Sequence, residues 1–146
     1  MPPDAFTEKI VRVVDGDTYI AQVGGRRVRV RLIGVDTPET VRPDTPVRCY
    51  GPQASAFAHQ LLTGVTVRAA YESGGHTDRY HRDLWDVWLP NGAFLAGVLA
   101  ADGYARAYPF RPQVRYASVL RRLADGARAA GRGLWGPPCY GRSFAN

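Results

Sequence analysis

Hydrophobic and polar residues alternate along the first quarter of the chain and change to helical spacing after it. Glu8 to Val14 alternates and is rich in Val and Ile, which predicts a strand. Asp15-Gly16-Asp17 carries an Asp-Gly turn signal, and Thr18 to Val23 reads as a second strand. Gly24-Gly25 marks the next hairpin turn. From Arg27 to Gly34 the alternation is strict, with Val28, Val30 and Leu32 on one face and Arg27, Arg29 and Arg31 on the other. These segments predict a three-stranded meander carrying a row of arginines. Strand three is expected to end at Asp36, because Pro38 prevents regular pairing.

The stretch from Val41 to Gly51, rich in Pro and Arg, reads as a surface loop. Pro52 sits where a helix begins, since its missing N–H costs little there. Ala54, Phe57, Ala58, Leu61 and Leu62 then recur at helical spacing, and Gly64 closes the element. Val65 to Tyr71 reads as a fourth strand, Glu72 to Thr77 as a loop and Leu84 to Leu89 as a fifth strand before the turn Pro90-Asn91-Gly92. Ala93 to Gly103 predicts a short helix, and Tyr104 to Gln113, with Pro109 and Pro112, an irregular stretch. Tyr116 to Ala130 predicts a last helix ended by Gly131, and the Gly- and Pro-rich tail from Gly136 is expected to run over the surface. Five short strands with helices between and after them point to an α+β fold, mostly β: a small closed barrel of the OB type. The 146 residues, 45% hydrophobic and without repeat or linker, suit a single domain over 1–146, its core at about 8–136 and a tail at 137–146.

Charge narrows the partners. There are 19 basic and 13 acidic residues, a formal charge of +6 and a pI near 9.7, a balance that fits a polyanion. Lys9 is the only lysine, and Arg grips phosphate bidentately where Lys acts as a point charge. No apolar run approaches the roughly 18 residues of a membrane span, so no membrane partner is expected. Met1 to Phe6 has the features of no export leader. The expectation is a soluble chain, secreted or otherwise extracytoplasmic, with the cytoplasm as the alternative. Cys49 and Cys139 either close a loop of about 90 residues, contributing roughly 4 kcal/mol, or stay as thiols. With His59, His76 and His81 they do not form zinc-ligand spacing.

The candidate chemistry lies at strand ends. Asp17 opens strand two and Asp36 closes strand three, so in a meander both reach one point. With the carbonyl of Thr37 they could supply a minimal oxygen set for calcium, although Asp also favours turns for local hydrogen-bonding reasons. Glu39 could take a proton from a nearby water as a general base. Arg31 and Arg82 could stabilise negative charge building on a phosphate.

Four runs occur in order: Val14-Asp15-Gly16-Asp17-Thr18, Arg31-Leu32-Ile33-Gly34-Val35-Asp36-Thr37-Pro38-Glu39-Thr40, Tyr50-Gly51-Pro52-Gln53-Ala54-Ser55 and Thr77-Asp78-Arg79-Tyr80-His81-Arg82, with Gly133-Leu134-Trp135 beyond them. In these runs the chain resembles the thermonuclease (staphylococcal nuclease-like) family, over roughly residues 8 to 136. The resemblance implies a five-stranded OB barrel with three α-helices. It also implies calcium-dependent cleavage of DNA and RNA that breaks the bond to the 5′ oxygen and leaves a 3′-phosphate. It assigns Asp17, Asp36 and Thr37 to the metal, Glu39 to the attacking water, Arg31 and Arg82 to the phosphate, and Arg79 and Tyr80 to the terminal phosphate of a bound nucleotide. A second substrate tyrosine falls near Tyr108, with Tyr104 as the other candidate. Departures from the family pattern are Arg42, Pro43 and Pro46 in the loop before Tyr50, Arg79 in place of a lysine, and His81 in place of a small residue. The expectation is a monomeric, sugar-nonspecific nuclease preferring single strands. The rival is a non-catalytic OB module that binds nucleic acid or protein; an oligosaccharide-binding barrel runs against the basic charge.

Overall fold

The structure, a computed structural model, describes residues 1–109, 111 and 114–144. Its elements are β1 (Phe6–Asp15), β2 (Thr18–Val23), β3 (Arg26–Leu32), β4 (Val35–Asp36), α1 (Gly51–Leu62), β5 (Thr66–Tyr71), β6 (Asp83–Trp88), α2 (Leu95–Ala101), β7 (Arg106–Ala107) and α3 (Ala117–Ala130). Five strands close into a barrel in the order β1-β2-β3-β6-β5. All neighbours are antiparallel except β3 and β6, which run parallel, as OB-type closure after an intervening helix requires. The expected α+β class, a five-stranded barrel with three helices, is the architecture that forms.

Strand alternation builds the core. Ile10 and Val13 of β1, Tyr19 and Ala21 of β2, Val30 and Leu32 of β3, Val67 and Ala69 of β5, and Trp85 and Val87 of β6 are all buried. Burying one such aliphatic side chain is worth about 1.5–3 kcal/mol. The buried Tyr19 hydroxyl donates to the carbonyl of Gly16 at 2.7 Å, so the one polar atom of this large side chain is satisfied. Helix α1 starts on Pro52 near its first turn, as expected, and buries Ala54, Ala58 and Leu62. Helix α2 packs between the barrel and α3.

Three expectations change. Strand β3 stops at Leu32, and Asp36 lies on the separate strand β4, which pairs with β7. The cause is Gly34. Its φ of +92° breaks the extended run, and a Cβ there would lie 2.5 Å from Leu120 Cδ1 of α3. Second, the stretch expected to be irregular contains β7, whose Arg106 is in register with Asp36; Phe110, Pro112 and Gln113 of that stretch lie outside the described residues. Third, the tail does not simply run over the surface. A disulfide joins Cys139 to Cys49, Cα–Cα 5.7 Å, and Ser143 of the tail is buried. No helix among the described residues is long and apolar enough to cross a membrane.

Candidate active site

The centre of the site is where the β1–β2 turn meets the end of β3. The amide of Leu32 donates to the carbonyl of Asp17 at 2.9 Å, which fixes the turn beside the strand end, as the meander predicts. Gly16 is required by closeness. A Cβ there would lie 2.7 Å from Thr37 Oγ1, so the turn is packed directly on Thr37. The Thr37 amide in turn donates to Asp17 Oδ2 at 2.9 Å, and the Thr18 hydroxyl donates to Asp17 Oδ1 at 3.0 Å. Thr37 Oγ1 itself is buried and meets no hydrogen-bond partner among the described residues.

Arg31 points outward from the end of β3, yet its side chain is only 7% exposed. Nη1 donates to the carbonyls of Leu32 and Val35. Nη2 lies 3.2 Å from Asp17 Oδ2 and 3.2 Å from Asp36 Oδ1. Two carboxylates thus face each other across one nitrogen. The other Asp36 oxygen, Oδ2, accepts from Arg106 Nε at 3.1 Å and Nη2 at 2.9 Å. Burial, and next the charge of Asp17, raise the pKa of Asp36, against the opposing pull of Arg31 and Arg106.

Glu39 lies one step along the same loop. Its Oε2 accepts from the amides of Val41 and Arg42, each at 3.0 Å. Partial burial works against its charge, but hydrogen bonds from the Asp15 carboxyl and from those two amides outweigh it and hold Glu39 below its ordinary value. Asp15 is pushed up to about 6, by burial first and by the hydrogen bond to Glu39 second. Asp15 also takes the amide of Thr40 at 3.1 Å and its hydroxyl at 2.8 Å, so the last residue of β1 holds the loop that carries Glu39.

Arg82 approaches from the β5–β6 connection. Asp78 clasps it: Oδ1 accepts the amides of Tyr80 and Arg82 at 2.9 and 3.0 Å, and Oδ2 accepts Arg82 Nε at 2.8 Å. The turn is tight enough to put His81 at φ +62°, a left-handed conformation that glycine adopts most readily. Tyr80 is 60% exposed, with the guanidiniums of Arg79 and Arg82 at 4.9 and 5.4 Å from its ring. Tyr108 is also open to solvent, and Arg106 lies 4.9 Å from its ring. Tyr104 instead stacks on Phe57 at 4.1 Å, against the core.

These groups line one cleft of about 630 Å³. Asp17, Arg31, Asp36, Glu39, Arg79, Tyr80, Arg82 and Tyr108 all open onto it, so Arg82 is on the same side of the molecule as Asp36. Thr37 lines the small adjoining recess with Asp36, Glu39 and Arg106. Six arginines but four carboxylates line the cleft, a balance suited to a phosphate ester. The donors around Asp17 and Asp36 are all oxygens. That set, with an unpartnered threonine oxygen buried beside it, fits a hard divalent cation and not zinc. Among the described residues no three His, Cys, Asp or Glu side chains gather as a ready cage, so waters and substrate oxygens would complete the coordination.

Two residues of this site escaped sequence reasoning. Asp15 was legible only as half of a turn, although it precedes Asp17 by two positions. Arg106 sits 70 positions from its partner Asp36 in a segment with no periodic pattern, and nothing in the sequence signals the pair.

Residues 29–137 match the family described as Staphylococcal nuclease homologue. The chain is 42% identical over 129 residues to the thermonuclease of Staphylococcus hyicus, covering 88% of this chain and 75% of that protein. It is 42% identical over 126 residues to the thermonuclease of Staphylococcus intermedius, covering 86% and 74%. It is 31% identical over 130 residues to endonuclease YncB of Bacillus subtilis (strain 168), covering 88% and 61%. By family match and by identity across most of its length, the chain belongs to the staphylococcal nuclease homologue family.

Proposed function

We propose that this protein is a calcium-dependent, sugar-nonspecific nuclease that hydrolyses phosphodiester bonds of DNA and RNA, prefers single strands and leaves 3′-phosphate ends. The observation that carries the reading is the pair of carboxylates, Asp17 and Asp36, meeting at Arg31 in the cleft that Glu39 and Arg82 also line. The names of the similar proteins, thermonuclease and endonuclease, support the nuclease class. Mere binding of a nucleic acid has no use for carboxylates beside the phosphate, which argues against the non-catalytic alternative.

Asp17, Asp36 and the Thr37 carbonyl would hold the cation, and calcium bound there would neutralise charge on the scissile phosphate. The remaining chemistry belongs to the chain. Glu39, kept ionised by its hydrogen bonds, orients a water and accepts its proton as the water oxygen bonds to phosphorus. The bond from phosphorus to the 5′ oxygen breaks, that oxygen takes a proton from solvent water to leave as a hydroxyl, and the phosphate stays on the 3′ side. Arg31 and Arg82, permanently charged, stabilise the negative charge that builds on the equatorial oxygens. Arg79 and Tyr80 hold a neighbouring phosphate, while Tyr108 offers a ring face to a base, which a strand can present only when unpaired. The protein acts as a monomer, since one chain supplies every group in this scheme.

Digestion of single-stranded DNA in calcium and then in EGTA tests the reading. Cutting is expected to stop in chelator and return with calcium. Undiminished cutting in EGTA contradicts the metal assignment, and a protein that shifts DNA on a gel without shortening it supports the binding module.

A further inference from the structure

We propose that the outer face of β1, β2 and β3 is a track for the sugar-phosphate backbone of a nucleic acid strand that leads away from the cleft. The proposal rests on the nuclease reading above and adds where the rest of a long substrate lies. Strand register builds the track. A bulge in β1 between Ile10 and Arg12 lets Lys9 and Arg12, three positions apart, both face outward. Lys9 is in register with Gln22 and Gln22 with Arg27; Arg12 is in register with Ile20 and Ile20 with Arg29. Two rows of basic residues therefore cross three strands, with neutral residues between them. Lys9, Arg12, Arg27 and Arg29 are all exposed.

Among the described residues of the three strands no exposed carboxylate shares this face, and Glu39 meets only its Arg29 end, across a groove. Glu8 is in register with the buried Val67 and belongs to the opposite side of the strand. Asp15 and Asp17, in the adjoining turn, are buried and committed to the site. Among the described residues, none of the four basic side chains forms an ion pair or a side-chain hydrogen bond. Like charges gathered on neighbouring strands oppose folding, and an outer face that needed only solubility would mix signs. A polyanion laid across the strands removes that repulsion.

Continuity with the cleft identifies the polyanion. Arg27, Arg29 and Arg31 follow one another outward on β3 at steps of roughly 6.7 Å. Arg31 is at the reacting centre, and Arg29 lines a groove with Glu39, Arg79, Tyr80 and Arg82. A strand cleaved beside Arg31 thus meets Arg29 next and Arg27 after it. The exposed tyrosines Tyr80 and Tyr108 stand in the cleft and not on the barrel face, which offers no ring to a base. The track therefore holds phosphates and is indifferent to sequence.

The test is binding, in a Glu39→Gln background, of a single strand of about 20 nucleotides and of a thymidine dinucleotide, as a function of salt. Arg12→Gln/Arg27→Gln removes two contacts. The slope of log affinity against log salt is expected to fall by about 1.4 for the long strand, and the advantage of the parent to shrink by about sevenfold between roughly 50 and 200 mM salt. Dinucleotide binding is expected not to change. Arg121→Gln/Arg122→Gln on α3 makes the same change in net charge and is expected to leave the slope intact. Equal losses from both double variants, or from neither, overturn the track while leaving the nuclease reading in place. Failure of the protein with native Glu39 to cut either substrate rejects the nuclease reading, and the track falls with it.

Discussion

Arg31 is where the demands of the fold and of the proposed chemistry fall on one residue. Its guanidinium is held by two carbonyls and two carboxylates and is nearly sealed from solvent. Breaking a buried charge pair from one side costs about 3–5 kcal/mol, so variants of Arg31 confound folding with activity. Arg82 and Glu39 are cleaner probes, because both are partly exposed and, among the described residues, bind within their own loops or to Asp15. Glu39→Gln and Arg82→Ala are each expected to lower the cleavage rate at least ~100-fold, as loss of a general base or of a charge-stabilising donor does elsewhere. Single-turnover kinetics with matched thermal unfolding curves checks this, and parental rates in either variant would remove that residue from the mechanism. At this scale the sequence was most informative where chemistry and turn signals coincide, as at Asp17 after its Asp-Gly turn and in the run from Asp36 to Thr40, while the part of Asp15 in holding Thr40 was hidden behind that turn signal. Arg106 was illegible because an ion pair across 70 positions leaves no local pattern.

Strands and helices were legible because alternation and helical spacing each report one buried face. The residue-level ends were less so. Strand β3 stops early because Gly34 must admit Leu120, a tertiary contact that no local period encodes. Strand β6 carries another such contact. Asp86 is fully buried next to Glu72, and neither of its oxygens meets a hydrogen-bond donor among the described residues. Burial first, and the charge of Glu72 second, push Asp86 up to about 8, with Arg115 opposing. An unfolded aspartate titrates near 3.9. The folded protein therefore holds a proton that the unfolded chain has lost, and stability falls as pH rises across the interval between those values. The contribution is complete below the unfolded pKa and gone above the folded one. Asp86→Asn removes this dependence. Its stability relative to the parent is expected to rise by at least ~1.4 kcal/mol, one pKa unit's worth, from about pH 5 to about pH 9. Thermal or urea unfolding at both pH values measures it, and a difference that does not change with pH would show that Asp86 ionises normally.

The whole molecule is a barrel with its site at one end, and the disulfide ties two distant segments beside that end. Cys49 closes the loop that follows Glu39, and Cys139 anchors the tail that brings Phe144 to 4.2 Å from the Arg106 guanidinium. The spacing of two cysteines does not show whether they pair, because pairing depends on where the tail returns. Replacing both by serine, or reducing them, is expected to lower stability by about 2–4 kcal/mol. Thermal unfolding with and without dithiothreitol checks this, and an unchanged midpoint would mean that the bridge constrains nothing in solution.

The central claim is that two acidic side chains and a threonine carbonyl gather a cation while two guanidiniums face the ester. A crystal soaked with calcium and a nucleoside 3′,5′-bisphosphate measures it most directly. The account predicts a cation bound by Asp17, Asp36 and the Thr37 carbonyl, with a phosphate against Arg31 and Arg82. A bound nucleotide with the cation elsewhere, or with Arg82 turned away from its phosphate, would contradict it.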